Sequence, residues 1–297
     1  MGSIKKPGFR FKKIILAAVL LMTPAISIFA QQKQATNMEK AVTSGYAPVN
    51  GLNMYYEIHG NGPLPLVLIH GGGSTIETSF GKLLPLMSGY GKIIAVELQA
   101  HGRTGDRNTP ESFQQDADDV AGLLKYLKVD KANFLGFSNG GSTSMQIAIR
   151  HPGMVNKIVI ISGAYKRDGF IQGFFDGMQH ATLDNMPAPL KEAFLHLTPD
   201  TNKLHAMFER DKTRMLTFKD WADDDLRSIR VPALLMVADH DVVTKEHTLE
   251  MLRLIGGSQL AILPGTHGSF MGELCTAKKD SRLPEMTAAL VEEFLKE

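Results

Sequence analysis

A serine stands where a predicted strand meets a predicted helix, which is a position suited to a nucleophile. Ser138 lies in the sequence GFSNG at residues 136–140, after the apolar run 132–137 and before a helical pattern over 141–150. On such a sharp turn the hydroxyl projects from the sheet edge, and Gly136 and Gly140 relieve the crowding of a strained backbone. The bare G-x-S-x-G pattern would arise by chance in about 0.15 of chains this long. We therefore base the prediction that Ser138 is a nucleophile on the position of this motif between a strand and a helix.

A serine hydroxyl needs partners before it can attack a carbonyl carbon. It is too weakly acidic to react at neutral pH without a general base, and that base needs a carboxylate to orient it. Asp241 follows the predicted strand 233–238, and His267 follows the predicted strand 259–263. The chain order Ser138, Asp241, His267 is the order expected when a nucleophile elbow sits on an α/β sheet.

Two other residues compete for the roles of acid and base. Asp239 directly follows the predicted strand end, but Asp241, two residues further along the chain, better suits a carboxylate that reaches across the sheet edge. His101 also follows a strand, yet it precedes Ser138 in the chain, which makes it the weaker base candidate. We therefore predict that Ser138, Asp241 and His267 form the catalytic triad.

Acyl transfer also needs hydrogen-bond donors for the negative charge that develops on the carbonyl oxygen. The backbone amide of Asn139, the residue after the nucleophile, is one predicted donor. The glycine run 71–73 follows the predicted strand 64–69 and allows bare backbone to approach the substrate closely. We predict the amide of Gly72 as the second donor of this oxyanion hole.

Short apolar runs alternate with helical patterns along most of the chain, which indicates a mostly parallel sheet flanked by helices. The predicted strands are 52–58, 64–69, 93–98, 132–137, 157–162, 233–238 and 259–263. The predicted helices are 77–87, 112–127, 141–150, 245–254 and 284–296. The α/β core is thus predicted over residues 44–164 and 231–297.

Residues 165–230 break the alternation, since they contain no convincing strand and several helix-like pieces. We predict that this segment is an inserted helical cap. It holds six of the fifteen phenylalanines and the single tryptophan of the chain. A helical subdomain needs a core of its own, but aromatic residues and methionines also suit an adaptable apolar wall over a pocket. Phe174, Met178 and Trp221 are the predicted pocket residues.

The first thirty residues have the layout of a secretory signal peptide. Five cations and no acids precede or flank an apolar run from 14 to 30 that ends in small residues. We expect cleavage after Ala30, a polar linker over 31–43 and a periplasmic or secreted protein; a retained membrane anchor is the alternative. The single cysteine, Cys275, can form neither an internal disulfide nor a thiolate metal site alone.

The overall composition is that of an ordinary folded protein, with 43% hydrophobic and 21% charged residues. It excludes disordered, collagenous and coiled-coil proteins. Beyond residue 30, 27 Lys and Arg stand against 31 Asp and Glu, so the body of the protein is mildly acidic. This charge argues against nucleic acid or an anionic membrane surface as a partner.

Five motifs in order resemble the α/β-hydrolase superfamily, in its group of small capped esterases, lipases and carbon–carbon bond hydrolases. They are HGGGS at 70–74, AHGRTG at 100–105, GFSNGG at 136–141, ADHD at 238–241 and GTH at 265–267. The resemblance covers about residues 50–297 and implies the same triad and the same two oxyanion donors. Glu97 and Ala100 depart from it, since many relatives carry Asp and Gly there. Glu97 lies at the end of predicted strand 93–98 and Ala100 in the loop after it, at a predicted pocket wall.

These observations predict a serine hydrolase that cleaves carboxylic esters of apolar small molecules through an acyl-enzyme. The reaction as written requires neither a cofactor nor a metal. Two alternatives stay open from the sequence. One is a carbon–carbon bond hydrolase or an acyltransferase with the same triad, and the other is a non-catalytic binder built on a hydrolase scaffold.

Overall fold

The computed structural model describes residues 1–2 and 42–297, and the strands in this part of the chain form one eight-stranded sheet. Their bounds are β1 Val42–Val49, β2 Leu52–His59, β3 Leu66–Ile69, β4 Ile93–Val96, β5 Ala132–Phe137, β6 Val155–Ile161, β7 Ala233–His240 and β8 Ser258–Thr266. Every residue of β3, β4 and β5 is buried. Continuous apolar runs of this kind form strands because helices cover both faces of the sheet.

The strands lie in the order β1-β2-β4-β3-β5-β6-β7-β8. The pairs β1–β2 and β2–β4 are antiparallel, and all later pairs are parallel. The carboxyl ends of β3 to β8 therefore meet at one edge of the sheet. The connection from β3 leads to β4 on one side, and the connection from its neighbour β5 leads to β6 on the other side. The switch point therefore lies between β3 and β5, and such a point is where α/β sheets bind ligands.

Helices pack on both faces of this sheet. Their bounds are α1 Ile76–Phe80, α2 Leu83–Leu86, α3 Phe113–Tyr126, α4 Asn139–Arg150, α5 Phe174–Gln179, α6 Ala188–Leu197, α7 Thr201–Thr217, α8 Asp223–Arg227, α9 Lys245–Leu254 and α10 Leu283–Lys296. One apolar cluster joins the sheet to α3, α4 and α9, and a second joins it to α1, α2 and α10. The predicted fold class, a mostly parallel sheet flanked by helices, is confirmed.

Helices α5 to α8 all lie between β6 and β7, inside the segment predicted as the cap. A third apolar cluster contains Met186, Phe194, Leu204 and Met207 from this segment together with Ala100 from the loop after β4. We use the name cap for residues 165–230. The cap thus has a small core of its own that also includes a residue of the α/β layers.

Two details differ from the sequence-based expectation. The edge strand β1 was not predicted, because its sequence contains a glycine and a proline and one partner strand suffices to hold it. The helix predicted over 77–87 is two short helices that Gly81 separates. The predicted signal peptide, its cleavage after Ala30 and the linker up to residue 41 lie outside the described residues. Within 42–297, no helix combines the length and apolar character needed to cross a bilayer.

Candidate active site

The turn between β5 and α4 holds Ser138 in a strained conformation. Its φ is 53° and its ψ is −117°, and α4 begins at the next residue. The neighbouring backbones approach so closely that a Cβ on Gly136 would lie 1.9 Å from the carbonyl oxygen of Gly140. A Cβ on Gly140 would lie 2.1 Å from the carbonyl oxygen of Ile69. Only glycine fits at both positions, and the turn therefore projects the serine hydroxyl beyond the sheet edge.

The side chains of Ser138, His267 and Asp241 form a continuous hydrogen-bonded chain. The Oγ of Ser138 lies 3.0 Å from Nε2 of His267, and Nδ1 of His267 lies 2.6 Å from Oδ1 of Asp241. The imidazole is partly exposed, whereas the Asp241 side chain is fully buried. With Nδ1 donating to the carboxylate, Nε2 is free to accept the serine proton, as a general base must.

Asp241 is held as a carboxylate by donors from three directions. Oδ2 accepts from the Ser162 hydroxyl at 2.6 Å and from the Ala238 amide at 3.2 Å, and Oδ1 accepts from the Val243 amide at 3.3 Å. Burial alone would raise the pKa of Asp241, but the hydrogen bond and charge of His267 and the Ser162 hydroxyl lower it below its usual value. The carboxylate is therefore ionised at neutral pH and can orient the imidazole.

The loop after β3 lies beside the nucleophile because of strand register. Ile69 pairs with Gly136, so residues 70–73 leave the sheet next to the turn at Ser138. The amide of Leu98 donates to Nε2 of His70 at 3.0 Å, and His70 Nδ1 donates to the carbonyl of Gly71 at 2.7 Å. Burial lowers the pKa of His70 to about 3, so this neutral ring ties the loop to the end of β4.

The two predicted oxyanion donors border the same space. Gly72 and Asn139 both line the cavity that contains Ser138 and His267. The two residues are in close contact, since a Cβ on Gly72 would lie 2.5 Å from Nδ2 of Asn139. Within residues 42–297, the amide of Gly72 has no hydrogen-bond acceptor. It is thus available to a substrate oxygen.

The cavity has a volume of about 340 Å³, and the cap supplies most of its apolar wall. Phe174 and Met178, two of the predicted pocket residues, line it. Trp221 does not line it and lies instead in the apolar core, packed edge-on against Phe113 and Phe218 at ring distances of 6.0 and 6.2 Å. The prediction for Trp221 is therefore wrong, because the sequence alone cannot show which face of the cap a side chain occupies.

Comparison with known proteins bears on the family and the fold of the chain. Residues 65–207 match a family described as the alpha/beta hydrolase fold. The serine hydrolase BPHL of Mus musculus is 26% identical over 303 residues, covering 93% of this chain and 95% of the mouse protein. The chain belongs to the α/β-hydrolase superfamily. The human serine hydrolase BPHL is 35% identical over 124 residues, which cover 40% of this chain and 43% of the human protein, less than two thirds of its length.

A solved structure shows the same fold at low sequence identity. A variant of the meta-cleavage product hydrolase from Pseudomonas fluorescens IP01 superposes with a TM-score of 0.70 at 20% identity. The likeness covers 88% of this chain and 99% of that protein. The fold of this α/β-hydrolase is therefore shared over nearly the whole described part of the chain.

The two competing candidates lie outside the hydrogen-bonded chain of this α/β-hydrolase. Asp239 accepts from the amide of Gly265 at 2.7 Å and so fixes the turn that precedes His267. His101 is fully buried, and its hydrogen bonds go to Gln99 and Asp211 and not to Ser138 or Asp241. Its Nδ1 donates to the carbonyl of Gln99 at 2.7 Å, and its Nε2 lies 2.9 Å from the carboxylate of Asp211. Asp239 and His101 therefore hydrogen-bond to neighbouring groups and take no part in the hydrogen bonds that join Ser138, His267 and Asp241.

Sequence reasoning missed a buried cluster of charges between the cap and the α/β layers. Arg214 on α7 contacts Asp211, lies 2.5 Å from Asp116 on α3 and 3.2 Å from Glu111. His101 completes what we call the cap–core charge cluster. The side chains of Arg214, Asp116 and Glu111 are at most 2% exposed. Charged residues on a long helix usually lie on its solvated face. Nothing in the sequence therefore indicates that Asp211 and Arg214 of α7 point inward.

Ionisation in the cap–core charge cluster follows from its geometry. Burial would lower the pKa of His101, but the charge of Asp211 and the hydrogen bond to it raise that pKa to about 9. Burial raises the pKa of Glu111 to about 7 and that of Asp116 to about 6, against the opposing charge of Arg214. For Asp211 the two cations outweigh burial, and its pKa is well below the usual range. His101 and Arg214 are therefore cations at neutral pH, and Asp211 is an anion.

The remaining polar residues give no sign of a metal centre. In the part of the chain that the structure describes, no three His, Cys, Asp or Glu side chains are arranged to hold a metal ion. Cys275 is exposed.

Of the two departures from the family motifs, Glu97 is buried and accepts from the amide of Arg103 at 2.6 Å, and Ala100 has a φ of 62°. Neither lines the cavity, so they do not shape its wall directly.

Proposed function

We propose that this α/β-hydrolase is a serine esterase that cleaves carboxylic esters with an apolar acyl or alcohol part. The observation that carries the proposal is the hydrogen-bonded chain from Ser138 through His267 to Asp241 at the floor of an apolar cavity. A nucleophile, its base and an orienting carboxylate in this arrangement are what acyl transfer through a covalent intermediate requires.

The proposed reaction has two halves. His267 Nε2 takes the proton of Ser138 as Oγ attacks the ester carbonyl, and the amides of Gly72 and Asn139 stabilise the resulting oxyanion. The tetrahedral intermediate collapses to an acyl-enzyme while His267 protonates the departing alcohol. Water, deprotonated by His267, then attacks the acyl carbon. The bond to Ser138 Oγ breaks, His267 returns the proton to Oγ, and the acid leaves. Asp241 keeps the imidazole in the required tautomer and stabilises its cation throughout.

The cavity supports an apolar substrate. Its wall includes Phe170, Phe174, Met178, Met186 and Phe208, all from the cap. Unbranched methionine side chains adapt to irregular ligands, and phenylalanine supplies large apolar contact area. A volume of about 340 Å³ lies within the range of sites for drug-sized ligands. We therefore place the apolar part of the ester against the cap.

The test is hydrolysis of chromogenic esters of graded chain length by the wild-type protein and by Ser138→Ala. We expect the substitution to lower kcat by about 10⁴-fold or more, because the covalent route is lost, and to abolish labelling by a fluorophosphonate probe. The melting temperature shows whether the variant is folded. Full turnover by a folded Ser138→Ala protein would refute the mechanism.

We also propose that the protein is exported through its N-terminal signal peptide. The support is the basic and then apolar layout of residues 1–30. Amino-terminal sequencing of the protein recovered from the periplasm or the medium should begin at Gln31. A protein that keeps residues 1–30 and sediments with membranes would contradict this and favour the retained anchor.

A further inference from the structure

Asp211, on the cap helix α7, reaches into the active-site cavity at the oxyanion hole. Its Oδ2 accepts from the amide of Gly73 at 2.5 Å, and its Oδ1 accepts from Nδ2 of Asn139 at 3.3 Å. Gly73 adjoins one predicted oxyanion donor, and Asn139 is the other. One carboxylate of the cap therefore holds the two segments that must present their amides to the same oxygen atom.

The carboxylate has no capacity left for a substrate group. Besides Gly73 and Asn139, it accepts from Nε2 of His101 at 2.9 Å and from the guanidinium of Arg214. A carboxylate has about four acceptor positions, and four donors occupy them. Asp211 is thus suited to fixing protein groups in place and not to binding a ligand directly.

The charge of Asp211 by itself would oppose catalysis. A negative charge beside the oxyanion hole repels the oxyanion, so it can only be tolerated where cations compensate it. The cations His101 and Arg214 contact it directly. Because these cations compensate its negative charge, Asp211 acts on the site mainly through the hydrogen bonds that it accepts.

We infer that Asp211 is a positioning residue of the oxyanion hole, which orients the Gly72–Gly73 loop and Asn139 from the cap. The inference rests on the proposed function, because an oxyanion must form for the hole to matter. It assigns the cap a role in the chemical step in addition to forming the pocket wall. Docking of α7 then completes the hole.

The decisive variant is Asp211→Asn, because a positioning role predicts a lower kcat and a purely electrostatic role predicts a higher kcat. The amide cannot accept hydrogen bonds on both sides, so it loses either the Gly73 or the Asn139 link. If positioning dominates, kcat for the ester falls about 100-fold, the typical loss for one oxyanion donor, while KM stays within threefold. If only charge mattered, removing a negative charge beside the oxyanion would raise kcat.

A transition-state analogue separates the oxyanion hole from the rest of the pocket. An alkyl boronic acid forms a tetrahedral adduct with Ser138 whose oxygen occupies the hole, whereas the corresponding primary alcohol only fills the apolar cavity. We expect Asp211→Asn to weaken inhibition by the boronic acid about 100-fold and to leave inhibition by the alcohol within threefold. A general collapse of the pocket would weaken both.

Arg210→Gln is the matched control. Arg210 lies on the same helix and binds Asp106 at 3.0 Å and Asn108 at 2.8 Å, a cap–core contact away from the cavity. If weaker cap docking alone slowed the reaction, Arg210→Gln would slow it too. We expect its kcat and its boronic acid inhibition to stay within twofold of wild type.

Asn139→Ala tests the same link from its other end and keeps the backbone amide. We expect kcat to fall about tenfold, and the loss in the double variant with Asp211→Asn to be smaller than the product of the two single losses, because both substitutions act on the same hydrogen-bonded carboxylate. If Asp211→Asn does not fold, Asn139→Ala carries the test alone. Unchanged kcat and boronic acid inhibition in the folded variants would overturn the inference.

The rate of fluorophosphonate labelling distinguishes this inference from the ester proposal, because it needs an activated serine but no ester. A wild-type protein that labels but cleaves no ester refutes the substrate class, and a labelling rate about 100-fold lower in Asp211→Asn still supports positioning. A wild-type protein that neither labels nor cleaves overturns both.

Discussion

Ser162 lines the cavity and hydrogen-bonds to the carboxylate of Asp241. Its hydroxyl donates to Oδ2 at 2.6 Å, and this bond is one of the contacts that lower the pKa of the carboxyl group. Removing the donor in Ser162→Ala raises that pKa and loosens the carboxylate that orients His267. We expect kcat to fall about three- to tenfold and the free energy of unfolding to fall by about 1.5 kcal/mol, the lower range for a bond to a charged group. Ester hydrolysis and thermal unfolding at pH 7 measure the two effects.

A serine at the opposite end of the sheet is the control for Ser162→Ala. Ser258 begins β8, and its hydroxyl donates to the carbonyls of Leu252 and Ile255 at 3.1 and 2.7 Å. Ser258→Ala should also lower stability, but kcat should stay within twofold of wild type. Equal losses of kcat in both variants would show that Ser162 acts through general stability.

At the scale of single residues, chain order and strand ends were enough to select three side chains that the structure brings into contact. Ser138, Asp241 and His267 each follow a strand, and parallel strands end at one edge. Asp211 could not be selected this way. It lies within a seventeen-residue helix of mixed charge, where only the tertiary packing of α7 decides which residues face the cavity.

The turn between β5 and α4 is the element whose backbone leaves the least room. A Cβ at residue 140 would lie 2.1 Å from the backbone oxygen of Ile69 on the neighbouring strand, and a backbone atom cannot rotate away. We expect Gly140→Ala to lower the free energy of unfolding by about 3 kcal/mol, typical of severe overpacking. In a domain of this size that corresponds to a Tm lower by about 6–12 °C. Differential scanning calorimetry measures the shift.

Gly153→Ala provides the contrast, since a Cβ there meets nothing within 4 Å. Because alanine restricts the unfolded chain more than glycine, this variant should be neutral or slightly more stable. A Gly140→Ala protein as stable as Gly153→Ala would mean that the turn can relax, and the close backbone approach would then not be a constraint.

Most of the elements could be predicted because short apolar runs bounded by turn residues differ in length and pattern from the helical stretches between them. The exceptions have physical causes. β1 has one partner strand and an exposed, glycine- and proline-containing sequence, so its pairing with β2 rather than its composition makes it a strand. The cap is predictable as helical, but Phe174 and Met178 face the cavity while Trp221 faces the core. Helical pattern does not specify which neighbour each face meets.

At the scale of the whole molecule, the cap–core charge cluster links stability to pH. His101 is held between the carbonyl of Gln99 and the carboxylate of Asp211, so both ring nitrogens donate and the ring is a cation. Arg214, Glu111, Asp116 and the neutral ring of His70 are its other titratable or charged neighbours. Removing one member leaves its partners buried and unpaired, which makes such clusters sensitive to a single proton.

The sign of the pH effect follows from the two pKa values of His101. The pKa is about 9 in the folded protein and 6.5 as the ordinary value, so between these limits the folded state binds more protons than the unfolded state. The stabilisation is therefore complete below pH 6.5 and is lost as the pH rises through 9. We expect the Tm of the wild-type protein to fall between pH 7 and 9.5 by at least about 3 °C more than that of His101→Gln. Thermal unfolding at half-unit steps of pH measures both slopes.

A surface histidine separates this effect from histidine loss in general. His151 lies 2.8 Å from Asp118, and both side chains are partly exposed. Exposed ion pairs contribute only about 0–1 kcal/mol to stability, so His151→Gln should follow the wild-type slope while His101→Gln is flatter. Parallel Tm profiles for wild type and His101→Gln would show that the proton on His101 is not what holds the cap to the sheet at neutral pH. In that case the apolar contacts of Met186, Phe194 and Met207 would carry the docking, and the cap–core charge cluster would serve only to place Asp211.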